Sequence, residues 1–160
     1  MTTDPYARLA DLGLELPTVV PSVAAYVPAV QTGNHVYVSG QLPMVDGKLP
    51  AVGKVGADVT ADEAKELAGR CALNALAAID ALVGLDRVVR VVKVVGFVAS
   101  ASGFTGQPTV INGASELFGA VFGDAGRHAR SAVGVAELPL GTPVEVEVIV
   151  EIAARVDQPA

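Results

Sequence analysis

The sequence predicts an α+β domain in which two helices lie against one face of a sheet of four or five strands, in the order β-β-α-β-α-β-β. Three observations carry this. Residues 61–83 repeat small and aliphatic side chains at helical spacing, and residues 108–122 do the same with bulkier ones. The remaining apolar stretches are short, rich in β-branched residues and punctuated by Gly and Pro.

Taken in order, strands are expected at about 24–31 and 35–40, followed by the Gly/Pro-rich loop "GKLPAVGKVGAD". The first helix, 61–83, carries Ala64, Leu67, Ala68, Cys71, Ala75, Leu76, Ile79 and Leu82 on its apolar stripe. Thr60 and Glu63 form a capping box before it and Gly84 stops it. A strand follows at 88–98. The second helix, from about Pro108 to Phe122, presents Val110, Ile111, Ala114, Leu117, Phe118, Val121 and Phe122 on one stripe. Strands at 131–136 and 144–153 close the domain. Residues 1–160 are read as one domain, with 1–18 a leader and 154–160 a frayed tail.

Composition narrows the classes of function. The chain is 51% hydrophobic, only 4% aromatic and free of Trp, so its core is built from Ala, Val and Leu. A mean hydropathy of +0.49 is high for a soluble domain of this size and points to apolar surface buried against other subunits. A net charge of −6 gives no electrostatic footprint for nucleic acid. No apolar run approaches the ~18 residues of a membrane span, and the N-terminus lacks the basic-then-apolar order of a signal peptide, so a cytoplasmic protein is expected. Cys71 is the one cysteine and is read as buried filler; neither it nor His35 and His128 suggests a metal site, and no cofactor is expected.

Period-two spacing in 144–153 puts Val144, Val146, Val148, Val150 and Ile152 on one face and Glu145, Glu147 and Glu151 on the other. In 88–98 both faces are apolar, with Val91, Val95 and Phe97 on one side and Val92, Val94 and Val98 on the other. Two helices cover only one face of such a sheet, so the other is expected to meet another copy of the chain. A glutamate on that face needs a partner or a function.

Three stretches, "YVPAVQTGNHVYVSGQLP" at 26–43, "VINGASELF" at 110–118 and "RSAVGVAELPLGTPVEVEVIVEI" at 130–152, resemble the Rid family, the RidA/YjgF reactive-intermediate deaminases also known as endoribonuclease L-PSP or translation inhibitors. The resemblance spans nearly the whole chain. It implies a chorismate-mutase-like fold with a mixed six-stranded sheet backed by two helices, and a homotrimer with clefts between subunits.

It also implies roles. Arg130 takes the position of the arginine that grips a substrate carboxylate, which suits the planar fork of a guanidinium; an interface or surface salt bridge is the alternative. Glu145 takes the position that holds the water attacking an imine carbon, whereas spacing alone does not choose between it and Glu147. Tyr26, Ser39 and Gly40 fall on cleft positions near the first strands, and Asn112 on the second helix. Local backbone hydrogen bonds would explain Ser39 and Asn112 equally well. Ala132 replaces the family's frequent Cys and would act through its backbone. Arg127 and His128 are read as loop residues. The segment "GFTGQPTVIN" is longer than its counterpart in the best-known deaminases, which leaves the substrate's side chain open. The implied activity is hydrolysis of small imino acids such as 2-iminopropanoate to a keto acid and ammonia. The alternatives are a non-catalytic metabolite-binding or chaperone-like trimer and, disfavoured by the charge, an endoribonuclease.

Overall fold

The computed structural model describes residues 4–19 and 24–154; residues 155–160 of the expected tail and 1–3 of the expected leader lie outside the described residues. The elements are α1 (Pro5–Asp11), β1 (Ala29–Thr32), β2 (His35–Gln41), α2 (Ala61–Val83), β3 (Val88–Ala99), α3 (Gln107–Phe122), β4 (Ala129–Val135) and β5 (Val144–Ile152).

Helix α2 has the bounds its sequence signals dictate. Thr60 Oγ1 accepts from the Glu63 N–H at 3.1 Å and Glu63 Oε2 accepts from the Thr60 N–H at 2.9 Å. The bond from the Thr60 N–H holds the Glu63 carboxyl below the usual carboxylate range. At the other end Gly84 adopts φ 88, a conformation other residues resist. Helix α3 packs directly on α2, and Gly113 permits this approach: a Cβ there would collide with the Lys65 carbonyl.

The five strands lie in the order β1-β2-β5-β3-β4, with every pair antiparallel except β3 and β4, which are parallel and joined by α3 as the crossover. The sixth strand implied by the family resemblance is not formed among the described residues. Its nearest equivalent is Val55, which bonds to both Ala99 O and the Ala101 N–H beside the end of β3. Gly53 (φ 117) and Gly56 (φ 93) turn the chain away on either side, so the pairing does not propagate. The first strand is also shorter than the expected 24–31, beginning at Ala29.

Strand β3 departs from simple alternation. Val91 pairs with Val150 and Lys93 with Ile149, leaving Val92 as an extra residue in a bulge. The bulge moves Val91 onto the same side as Val94 and Val98, and all three are fully buried, whereas the sequence places Val91 opposite them. This side, with Val36, Val144, Val146, Val148 and Val150, forms the core against α2 and α3. The other side carries Val30, Tyr37, Val95, Phe97, Val133 and Ile149 among Lys93, Glu145 and Glu147, all half-buried or exposed. No helix of the described residues covers it.

Residues 5–11 of the expected leader form a docked helix. The Asp4 carboxylate caps the Tyr6 N–H at 3.0 Å, Pro5 occupies the first turn and Leu9 is buried. The Tyr6 hydroxyl donates to Asp80 Oδ1 at 2.6 Å and accepts from the Leu85 N–H at 3.0 Å, pinning α1 to the end of α2. Burial and the Asp80 contact push the Tyr6 hydroxyl pKa up.

Candidate functional site

Arg130 lies on the edge strand β4, on the face turned toward the helices, beside Val94 of β3. Its guanidinium reaches α3. Nη1 donates to Asn112 Oδ1 at 2.8 Å and to Ser115 Oγ at 3.2 Å, and Nη2 donates to the Pro108 carbonyl at 3.4 Å. Asn112 is therefore a direct anchor of Arg130. All three acceptors are neutral, and no carboxylate of the described residues forms an ion pair with Arg130. Among the described residues Nε makes no hydrogen bond and Nη2 makes one long one, and these two nitrogens share one edge of the guanidinium, the edge that can bind a carboxylate at two points. Ala132 lies two residues along the same strand and face, half-buried against the core.

Sequence reasoning missed two members of this cluster. Ser115 joins Arg130 to His128: the His128 Nδ1 and the Gly126 carbonyl are 2.6 Å apart, and Nε2 is 2.9 Å from Ser115 Oγ. Available signals were the i, i+3 spacing of Asn112 and Ser115 on one helix face and the two-residue step from His128 to Arg130.

Glu145, on the uncovered sheet face, forms a second group with Gly40 and Glu147. Pairing between β2 and β5 shifts between Val38 and Gln41, so Ser39 and Gly40 occupy an irregularity. The Glu145 carboxylate rests against Gly40; a Cβ on Gly40 would land on Glu145 Oε1. Gly40 is thus required by contact with the glutamate rather than by a left-handed backbone. Partial burial, reinforced by the neighbouring Glu147 charge, raises the Glu145 pKa. Burial also pushes the Cys71 thiol well up, with the Glu145 charge contributing, and its Sγ points at the Val144 carbonyl in the core, an inert arrangement. Ser39 takes the local option: its Oγ donates to the Val27 carbonyl at 2.6 Å. Tyr26 is 61% exposed.

The two groups do not meet within one chain. Arg130 lies level with Val148, two strands from β5, and Glu145 is three residues further along β5. Strand spacings separate their backbones by roughly 14 Å, and their side chains leave opposite faces of the sheet. On the uncovered face a depression of about 250 Å³ is lined by Val30, Tyr37, Ser39, Lys93, Val95 and Glu147. A larger groove of about 500 Å³ runs between α2 and α3, past Leu12, Leu14 and Arg70, and holds none of the expected site residues.

The profile of the family described as "YjgF/chorismate_mutase-like, putative endoribonuclease" matches residues 6–152, a span that includes both groups. The chain belongs to the YjgF family. It is 47% identical to Protein TCP17 of Trypanosoma cruzi over 148 residues, 91% of this chain and 92% of that protein. The crystal structure of Atu1372 from Agrobacterium tumefaciens matches with a TM-score of 0.85 and 47% identity, covering 93% of this chain and 92% of that one. A "putative endoribonuclease" from Shewanella oneidensis matches with a TM-score of 0.88 and 33% identity, covering 92% and 99%. The α+β fold is thus the YjgF chorismate-mutase-like fold, with five strands in its mixed sheet.

Proposed function

We propose that this YjgF-family chain is an imino-acid deaminase. Water adds to the C=N carbon of a small 2-imino acid, such as 2-iminopropanoate formed by tautomerisation of 2-aminoacrylate, and the adduct collapses to a 2-keto acid and ammonia. The observation that carries this reading is Arg130, a half-buried cation anchored by neutral oxygens alone, whose Nε makes no bond and whose Nη2 makes only a 3.4 Å one among the described residues. A planar carboxylate satisfies that geometry and that charge. Glu145 supplies the complementary group. It is a half-buried carboxylate with a raised pKa, able to take a proton from the attacking water. Both water protons end on nitrogen: the first passes through Glu145 as water adds to the C=N carbon, and the second leaves the new hydroxyl as the C=O forms, the C–N bond breaks and ammonia departs.

Because Arg130 and Glu145 face apart in a single chain, a site using both combines the Arg130 group of one protomer with the Glu145 group of its neighbour. The uncovered face, apolar at Val30, Tyr37, Val95, Phe97, Val133 and Ile149, gives the surface for such an assembly. A homotrimer with three clefts satisfies it, each cleft holding Tyr26, Ser39 and Gly40 near Glu145, and Asn112 and Ala132 near Arg130. The test is keto-acid release from freshly generated 2-aminoacrylate, followed by a lactate dehydrogenase couple. Acceleration over buffer supports the proposal, and none at micromolar protein overturns it. The name carried by the Shewanella relative favours ribonuclease as a second reading, although a chain of net charge −6 repels phosphate. Cleavage of single-stranded RNA without keto-acid release would select it.

A further inference from the structure

One of the three hydrogen bonds that hold Arg130 leads on, through Ser115, to a histidine. Gly126 passes so close to α3 that a Cβ on it would collide with the Phe118 carbonyl, which fixes the Gly126 C=O relative to the helix. That carbonyl is only an acceptor, so the 2.6 Å contact makes His128 Nδ1 the donor and places the ring hydrogen there. With the ring hydrogen on Nδ1 alone, Nε2 is an acceptor and the Ser115 hydroxyl 2.9 Å away donates to it. Ser115 Oγ, its hydrogen committed, presents lone pairs to Arg130 Nη1 at 3.2 Å. The ring plane is fixed as well, because His128 meets the buried Phe118 edge-on, with centroids 6.1 Å apart and planes at 85°. In that tautomer each contact in the series from Gly126 through His128 and Ser115 to Arg130 runs in one direction.

We propose that Ser115 and His128 are positioning residues that hold the Arg130 fork with Nε and Nη2 turned toward the substrate carboxylate. Asn112 holds Nη1 at 2.8 Å and the Pro108 carbonyl holds Nη2 only at 3.4 Å; the Ser115 bond to Nη1 adds the third point that restricts rotation of the guanidinium. The relay acts on binding of the carboxylate, since it touches neither the reacting carbon nor Glu145. This role rests on the deaminase reading for its substrate, but the orientation of Arg130 does not.

The experiment pairs a ligand-free measurement with a ligand-bound one, on Ser115→Ala, Ser115→Thr, His128→Phe and His128→Gln. In the free protein, the Arg130 Nε–H resonance and its relaxation report guanidinium order directly. Pyruvate titration and keto-acid release then report carboxylate binding and turnover. Ser115→Ala and His128→Phe are expected to disorder the guanidinium, weaken pyruvate roughly tenfold, the scale of one hydrogen bond to a charged group, and raise KM by more than they lower kcat. Ser115→Thr keeps the hydroxyl and His128→Gln keeps an acceptor near Nε2, so both should recover most of the order and the affinity. An Arg130 resonance that is unchanged in Ser115→Ala and His128→Phe overturns the positioning role. Equal loss in all four variants also overturns it, because packing rather than hydrogen-bond direction would then be responsible. A wild-type protein that binds no pyruvate while its guanidinium order still depends on Ser115 and His128 upholds the relay and overturns the deaminase reading.

Discussion

Replacing Glu145 by Gln should make the protein more stable while removing its activity. Among the described residues Glu145 has no cationic partner, and its pKa is raised by burial and by Glu147. The two carboxylates are two residues apart on one strand face, about 7 Å between backbones. Unit charges at that distance repel by about 0.6 kcal/mol at the dielectric of water and by about 1.2 kcal/mol at half that value. Solvent screening of a half-exposed group favours the lower part of this range. A gain of about 0.5–1 kcal/mol corresponds to a rise in Tm of roughly 1–4 °C for a domain of this size. The sign follows from proton binding. The folded state holds the Glu145 proton to higher pH than the unfolded state, so stability falls as pH rises between the two pKa values, and the penalty persists above both. The gain in Glu145→Gln should therefore be full at pH 8 and vanish in acid, where the carboxyl is protonated in both states. Thermal unfolding of wild type and variant from pH 3 to pH 8, at one fixed protein concentration because association shifts Tm, reads this directly. A variant destabilised at pH 8 by more than about 1 kcal/mol would show that the ionised glutamate is held by a stabilising partner, and would refute the picture of an unpaired, strained carboxylate.

Two further substitutions probe contacts made by glycines. Gly40→Ala places a methyl group on Glu145 Oε1 and must displace the carboxylate. Its turnover should fall toward that of Glu145→Gln, and the double variant should be no worse than either single one; additive losses would place Gly40 in a separate role. Gly113→Ala forces α3 away from the Lys65 carbonyl and should cost about 1–3 kcal/mol in urea unfolding. An unchanged midpoint would show that the helices separate freely there.

Helix α2 was legible in the sequence to the residue, because its ends are set by local chemistry: the reciprocal Thr60 and Glu63 bonds and the positive φ of Gly84. The alternation of β5 was equally legible and correctly put the valines inside and the glutamates on the other face. What failed depended on pairing between distant segments. The bulge at Val92 is set by register against β5, and nothing in "VVRVVKVV" marks it. The docking of α1 depends on a hydroxyl reaching Asp80, 74 residues away, although Asp4-Pro5 is a start signal visible in the sequence. At the candidate site, Arg130, Asn112 and Glu145 were named through a resemblance, and the structure joins the first two by a hydrogen bond. Ser115 and His128 were passed over because a serine inside a helix and a histidine after a turn carry no pattern of their own until the fold brings them within 3 Å.

The central claim is that Arg130 of one protomer works with Glu145 of another. Mixed assemblies test it most directly. Arg130→Lys retains the charge without the fork, and Glu145→Gln retains the shape without the base, so each alone should be nearly inactive in keto-acid release from 2-aminoacrylate. Unfolded together in equal amounts and refolded, they form assemblies in which about one quarter of head-to-tail interfaces bring an intact Arg130 to an intact Glu145. The mixture should therefore recover about a quarter of wild-type activity, whereas mixing without subunit exchange should recover none. Refolded mixtures no more active than the separate variants, in the presence of demonstrated subunit exchange, would contradict a site shared between protomers.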